Sequence, residues 1–296
     1  MKYGKVDDPS DIDFELPNDD PATENMLKNS HREAWDVYVG CAKWNKTDLK
    51  GFYPRGTKDE LTYYSRQFNS IELNSIFYNM PKAEQVVKWK EKTPDGFRFF
   101  PKITQTISHY RRLKDVEELT KEYCDAIVRF EEKLGMCFLQ LHESFGISEF
   151  SKLKTFIEIF PKAVPLAIEV RNKEWFTNKA VWEEYCLFLE THSITNIIVD
   201  TAGRRDMLHM RLTTPVAFVR FVGCNVEEID YNRIDDWVNR IEKWHHEGLQ
   251  HLYFFVHQNV EESSPLFSAY LIEKLNKRFD LHLQIPKSAT VQGSLF

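Results

Sequence analysis

Ten polar side chains stand at the ends of short apolar runs in this chain: Glu72 and Asn74, Lys102, Gln140 and His142, Glu169 and Arg171, Asp200, Arg220 and His257. Each run reads as a strand, and strand side chains alternate between two faces. In 166–172 (LAIEVRN), Leu166, Ile168 and Val170 share one face while Glu169 and Arg171 share the other. The same parity, applied to every run, turns all ten residues toward one interior. An inward carboxylate is unfavourable unless it is paired or used.

Two carboxylates on different strands act as general acid and base when their surroundings separate their pKa values. Glu169, two positions from Arg171, is expected to stay ionised, whereas Glu72 has no cation beside it in sequence. Lys102 would form a Schiff base only with a depressed pKa, and three nearby acids favour a charged ammonium instead. Lys102, Arg171 and Arg220 together point to an anionic ligand, phosphorylated or carboxylated. Aromatic residues follow the same strand ends (Trp44, Phe52, Tyr53, Phe77, Tyr78, Trp175, Phe176) and offer faces on which a sugar or base stacks. The catalytic candidates are thus Glu72, Lys102, Glu169, Asp200 and His257. The substrate-binding candidates are Trp44, Asn74, Tyr78, Gln140, Arg171, Trp175 and Arg220. The competing reading is an ion-pair plug of three carboxylates against three cations. Buried ion pairs often fail to repay their desolvation, which favours function for the set.

A divalent ion would find ligands in Glu72, Glu169, Asp200, His142 and His257, but no H-x-H or H-E-x-x-H spacing is present and three cations would repel it. No metal site is expected, and no cofactor is required. Cys41 ends a strand, yet no histidine is fixed beside it by sequence, so a packing role is expected.

Eight apolar runs place these residues: 37–42, 70–77, 97–102, 136–141, 166–171, 195–200, 217–222 and 251–257. Helical periodicity fills most gaps, best at 58–68, 82–92, 116–134, 178–192, 231–246 and 265–279. Only 201–215 (TAGRRDMLHMRLTTP) is too short and mixed for a helix, so one βα unit is expected to be degraded there. Eight such units spanning 36–283 predict a single (β/α)8 TIM-like barrel of the α/β class. No glycine-rich phosphate turn supports an open doubly wound sheet. In such barrels phosphate sits between the loops after strands 7 and 8, here carrying Gly223, Asn225, Asn259, Ser263 and Ser264.

Residues 1–35 read as an acidic arm in which Ile12, Phe14 and Leu16 alternate, either extended with one apolar edge turned down onto the domain or a disordered tail. Residues 284–296 read as a short C-terminal tail. A net charge of −6 gives no general attraction to nucleic acid or anionic membranes. Five scattered cysteines without a C-x-x-C pair suit reduced thiols, and no apolar run reaches the length of a membrane span. A soluble cytoplasmic protein is expected.

The motifs VGCAKW (39–44), GFYP (51–54), LTYYSRQFNSIELNSIFY (61–78), TPDGFRFFPK (93–102), LQL (139–141), EVRNKEWF (169–176) and FVRFVG (218–223) resemble those of the domain of unknown function 72, or YecE-like, family. The resemblance runs from about 37 to 277 and implies a TIM-like barrel of unassigned activity. Two positions depart from it. Val222-Gly223 replaces a His-Gly pair, and strand 8 ends FVHQN, so a histidine stands at His257 rather than on the neighbouring strand.

The function expected is an enzyme, a hydrolase, lyase or isomerase, acting on a small anionic substrate at the carboxyl-end mouth; a non-catalytic ligand-binding barrel is the alternative. A third reading comes from the last residues. QGSLF (292–296) resembles the peptide by which bacterial repair and replication proteins dock on the sliding clamp, with Gln292, Leu295 and Phe296 in the matching places, and implies a clamp partner.

Overall fold

The computed structural model describes residues 4–30 and 35–287. Eight parallel strands form the sheet: β1 (Asp36–Cys41), β2 (Ser70–Leu73), β3 (Arg98–Pro101), β4 (Cys137–Gln140), β5 (Leu166–Glu169), β6 (Thr195–Thr201), β7 (Val216–Val222) and β8 (His251–His257). Hydrogen-bonded neighbours run β3-β2-β1-β8-β7-β6-β5-β4. The two end strands meet through isolated bridges, Phe99 with Leu134 and Lys102 with Phe138. The result is a nearly closed α/β barrel whose seam lies between β3 and β4.

Strand 2 is shorter than the expected 70–77. Cys41, the last residue of β1, pairs with Ile71, and Pro101, the last of β3, pairs with Leu73, so no partner remains beyond Leu73. The chain turns instead into the short helix Ser75–Tyr78. Helices fill the other gaps, among them Ala83–Glu91, Glu117–Ile127, Phe150–Ile159, Lys179–Thr191, Glu227–Glu247 and Ser264–Phe279. Where the sequence withholds an amphipathic pattern, between β6 and β7, only a 3-10 turn forms (Ala202–Met207).

The arm occupies that gap. Phe14 lies 5.4 Å from the Arg205 guanidinium and 4.7 Å from that of Arg233, and Asp19 accepts from Arg240, Lys243 and the Trp244 indole. Ile12, Phe14 and Leu16 are half-buried while Asp11, Asp13 and Glu15 are exposed, as the alternation requires. The arm is not extended throughout. Asp20 caps the helix Pro21–Lys28 by accepting from the Ala22 N–H, and Thr23 and Leu27 are buried beneath it.

Inside the barrel the amino-end layers are aromatic and apolar: Phe100, Phe138, Phe218 and Phe255 pack together with Ala167, Ile197 and Val199. Ring centroids stand 4.9 Å apart for Phe100 and Phe255 and 5.7 Å apart for Phe138 and Phe218. Lys102, Gln140, Glu169, Arg220 and His257 each follow one of these residues by two positions, one layer nearer the carboxyl end. Among the described residues no helix is long and apolar enough to cross a membrane.

Candidate active site in the barrel mouth

The polar layer begins with Arg220 on β7, which is almost fully buried and lies over the Phe138 ring. Its Nε and Nη2 donate to the two Glu72 carboxylate oxygens at 2.8 Å each, and its Nη1 donates to Glu169 Oε2 at 2.5 Å. Glu72 Oε1 also accepts from Asn74 Nδ2 at 2.7 Å, and Oε2 meets His257 Nε2 at 2.9 Å. Glu169 Oε1 accepts from Gln140 Nε2 at 3.0 Å and from Arg171 Nε. Burial alone would raise both acids. Arg220 and His257 hold Glu72 well below the usual carboxylate range, and Arg171 and Arg220 bring Glu169 to about 2. These two carboxylates form a saturated floor, with little basicity left for proton abstraction.

Lys102 follows different rules. Its Nζ donates to Gln140 Oε1 at 2.8 Å and sits 4.1 Å from the centre of the Phe77 ring. Among the described residues it makes no ion pair, because the acids of the floor are taken by arginine. Burial, then the charges of Arg220 and Arg171, outweigh the pull of Glu72 and Glu169 and lower its pKa to about 7. This setting works against the charged ammonium that the count of nearby acids led the sequence reading to expect.

Above this floor opens a cavity of about 720 Å³, a volume usual for small-molecule sites. Glu72, Asn74, Lys102, Gln140, Arg171 and His257 line its polar side, and Trp44, Phe77, Tyr78 and Trp89 supply aromatic walls. Trp44 is set by the loop after β1: the Tyr53 hydroxyl donates to its carbonyl, and its ring meets Trp89 edge-on at 5.7 Å. Tyr78 stands at the rim, 65% exposed. His109, which also lines the cavity, packs edge-on to Phe77 and to His142; burial and then Lys102 depress its pKa to about 4.

His257 is fully buried at the end of β8. With Nε2 directed at the Glu72 carboxylate, its Nδ1 has no hydrogen-bond partner among the described residues. Because a carboxylate only accepts, Nε2 carries the hydrogen, which leaves Nδ1 of the neutral ring as an acceptor.

Several expected positions fall elsewhere. Asp200 is not in the mouth: Ile197 and Val199 are the inward residues of β6, so Asp200 points outward, where it meets Arg233, Arg205 and the Trp237 indole. Both faces of 195–200 are apolar enough that its polar residue did not fix the parity. Trp175 is buried beneath the site, its indole donating to the Phe145 carbonyl at 2.9 Å against Phe150 and Tyr185. The loops after β7 and β8 are already supplied with anions from the chain itself. The Cys224 and Asn225 N–H groups donate to Asp230, and the Ser264 hydroxyl donates to Glu261. The phosphate position expected there is taken by carboxylates. Cys41 is buried near Ser268 and burial pushes its thiol well up, as suits a packing residue. Gln292, Leu295 and Phe296 lie outside the described residues.

The sequence reading missed Trp89 and Glu261 as cavity residues. The first is an aromatic in a helical pattern and the second lies in a polar loop run, so nothing local distinguishes them. Among the described residues no three His, Cys, Asp or Glu side chains are grouped to hold a metal ion.

Residues 38–290 match the family model described as "Protein of unknown function DUF72". The chain belongs to the DUF72 family. It is 26% identical over 281 residues to the UPF0759 protein YecE of Escherichia coli K12, covering 88% of this chain and 100% of YecE. It is 25% identical over 173 residues to the UPF0759 protein YunF of Bacillus subtilis 168, covering 55% of this chain and 60% of YunF. Two DUF72 crystal structures share the fold. That from Enterococcus faecalis V583 superposes with a TM-score of 0.67 at 19% identity, over 85% of this chain and 100% of the other. That from Thermotoga maritima MSB8 gives 0.65 at 24% identity, over 81% and 99%.

Proposed function

We propose that the mouth is the active site of an acid–base enzyme, a lyase, isomerase or hydrolase, that takes a small anionic substrate carrying a ring. The observation that carries this reading is Lys102, a buried amine without a counter-ion among the described residues, on the wall of an aromatic cavity. A lysine kept this way is a poor stabiliser and a good proton carrier near pH 7. His257, held by Glu72, supplies a second proton-exchanging group across the same cavity. Arg171, only 12% exposed at its side chain, offers the cationic rim, and Trp44, Phe77 and Trp89 offer ring faces.

A thermal-shift panel of phosphorylated and carboxylated ring compounds tests this. A ligand at 100 times its Kd adds about 2.7 kcal/mol and raises the midpoint by roughly 5–10 °C. In the enzyme, Lys102→Met and His257→Asn abolish turnover of the compound found and leave its binding within about tenfold. The reading fails if no compound shifts the midpoint, or if the shift survives replacement of both Trp44 and Arg171. Turnover unchanged in both single variants would leave a binding barrel.

A further inference from the structure

The floor of the cavity treats its ionisable groups unequally. Glu72 and Glu169 are saturated by Arg220, Arg171, Asn74, Gln140 and His257, whereas Lys102 meets an amide oxygen and an aromatic face. The Gln140 amide is turned by its own donation to Glu169, so that its oxygen is left for Lys102. That contact takes one N–H of the amine and holds the nitrogen on the cavity wall. The Phe77 ring lies 4.1 Å from the same nitrogen, and Lys102 lines the cavity.

We propose, on the basis of the reading above, that Lys102 is a nucleophile that condenses with the carbonyl carbon of an anionic, ring-bearing aldehyde or oxo compound in this cavity. The free amine that serves as a proton carrier is also a nucleophile. A nucleophile needs its lone pair, hence an environment that withholds the proton: burial, two nearby guanidinium groups and no contacting carboxylate. The pKa near 7 agrees with that geometry. The nitrogen lone pair adds to the carbonyl carbon, forming the C–N bond as one N–H proton passes to oxygen. The hydroxyl then leaves with the second nitrogen proton as one molecule of water, and the C=N bond forms. No oxidant or reductant takes part. His257 and His109, both lining the cavity, are the imidazoles able to relay the proton.

The test uses the full chain with two probes, pyridoxal 5′-phosphate (a phosphorylated ring aldehyde) and glyoxylate, each at substoichiometric concentration, followed by borohydride reduction and peptide mapping. The expected result is labelling of Lys102 at least tenfold faster than of any other lysine by one or both probes. The rate should rise as pH passes through about 7, and the label should be lost in Lys102→Arg. Lys102 unlabelled by both probes, or labelled no faster than surface lysines, overturns the inference. A parallel thermal shift with pyridoxine 5′-phosphate, which has no aldehyde, reports on the cavity alone. A raised midpoint without labelling rejects the nucleophile and keeps the anionic ring site. Labelling of Lys102 without that shift keeps the nucleophile and moves the anion requirement to the carbonyl compound itself.

Discussion

Two buried ionic networks lie on opposite faces of the sheet around β6 and β7, made of the same materials. Inside the barrel Arg220 joins Glu72 and Glu169. Outside it Arg233 joins Asp200 and Asp230, at 2.9 Å to each. Both arginines lie against aromatic rings, Phe138 for the inner one and Phe221 with Phe14 for the outer. The outer network is sealed by the arm. The inner one is left with an open cavity above it, and beside that cavity stands an amine that no acid among the described residues contacts. Buried charge therefore does not by itself mark a site here; a group left without its counter-ion next to open space does.

The comparison breaks most visibly at Arg220. Arg220→Met strands two carboxylates in the barrel interior, and urea unfolding followed by circular dichroism should register a loss of about 3–5 kcal/mol or more. Adding Glu72→Gln and Glu169→Gln should restore most of that loss, since neutral amides need no counter-ion. A stable single variant would mean that the floor is not held by ion pairing.

Lys102→Met should act in the opposite direction. The folded pKa of about 7 lies below the ordinary 10.5, so between those values the unfolded chain binds the extra proton and stability rises with pH. The burden of the buried ammonium is complete below pH 7 and gone above about 10.5. The variant should be more stable than the parent by roughly 5 kcal/mol at pH 6, with the gain fading by pH 10. Chemical denaturation at both pH values checks this, and destabilisation at pH 6 would assign Lys102 to the structural floor. At the outer network the expected effect is smallest. Asp19→Ala removes the shared acceptor of Arg240, Lys243 and Trp244 and should cost about 1–2 kcal/mol while leaving any cavity ligand's affinity unchanged.

Strand positions and the inward parity of Glu72, Lys102, Gln140, Glu169, Arg220 and His257 were legible because each of those runs has one consistently apolar face and one polar end. Asp200 was not legible, since TNIIV carries apolar residues on both faces and only the partners Arg233 and Trp237, more than thirty positions away, decide where the carboxylate goes. Trp175 shows the same limit for aromatics: a tryptophan after a strand reads alike whether its indole meets a ligand or the Phe145 carbonyl. The downward pull on the Lys102 pKa was not legible, because sequence counts the acids near it but not which of them arginine has already taken. The empty sixth helical gap was legible from composition, whereas its cover was not.

That cover has a consequence for how the chain reaches this state. Asp19 finds Arg240 and Lys243 only after 221 and 224 further positions, and Thr23 donates to the carbonyl of Met210 across 187. At roughly 5–20 residues per second of synthesis, the arm waits on the order of ten to forty seconds before its docking surface exists. Such distant contacts pay their loop-closure entropy late and place arm docking among the last events of folding. Until then the stripe of Ile12, Phe14 and Leu16 has no surface to cover it, and the acidic residues Asp11, Asp13 and Glu15 interrupt it with charge.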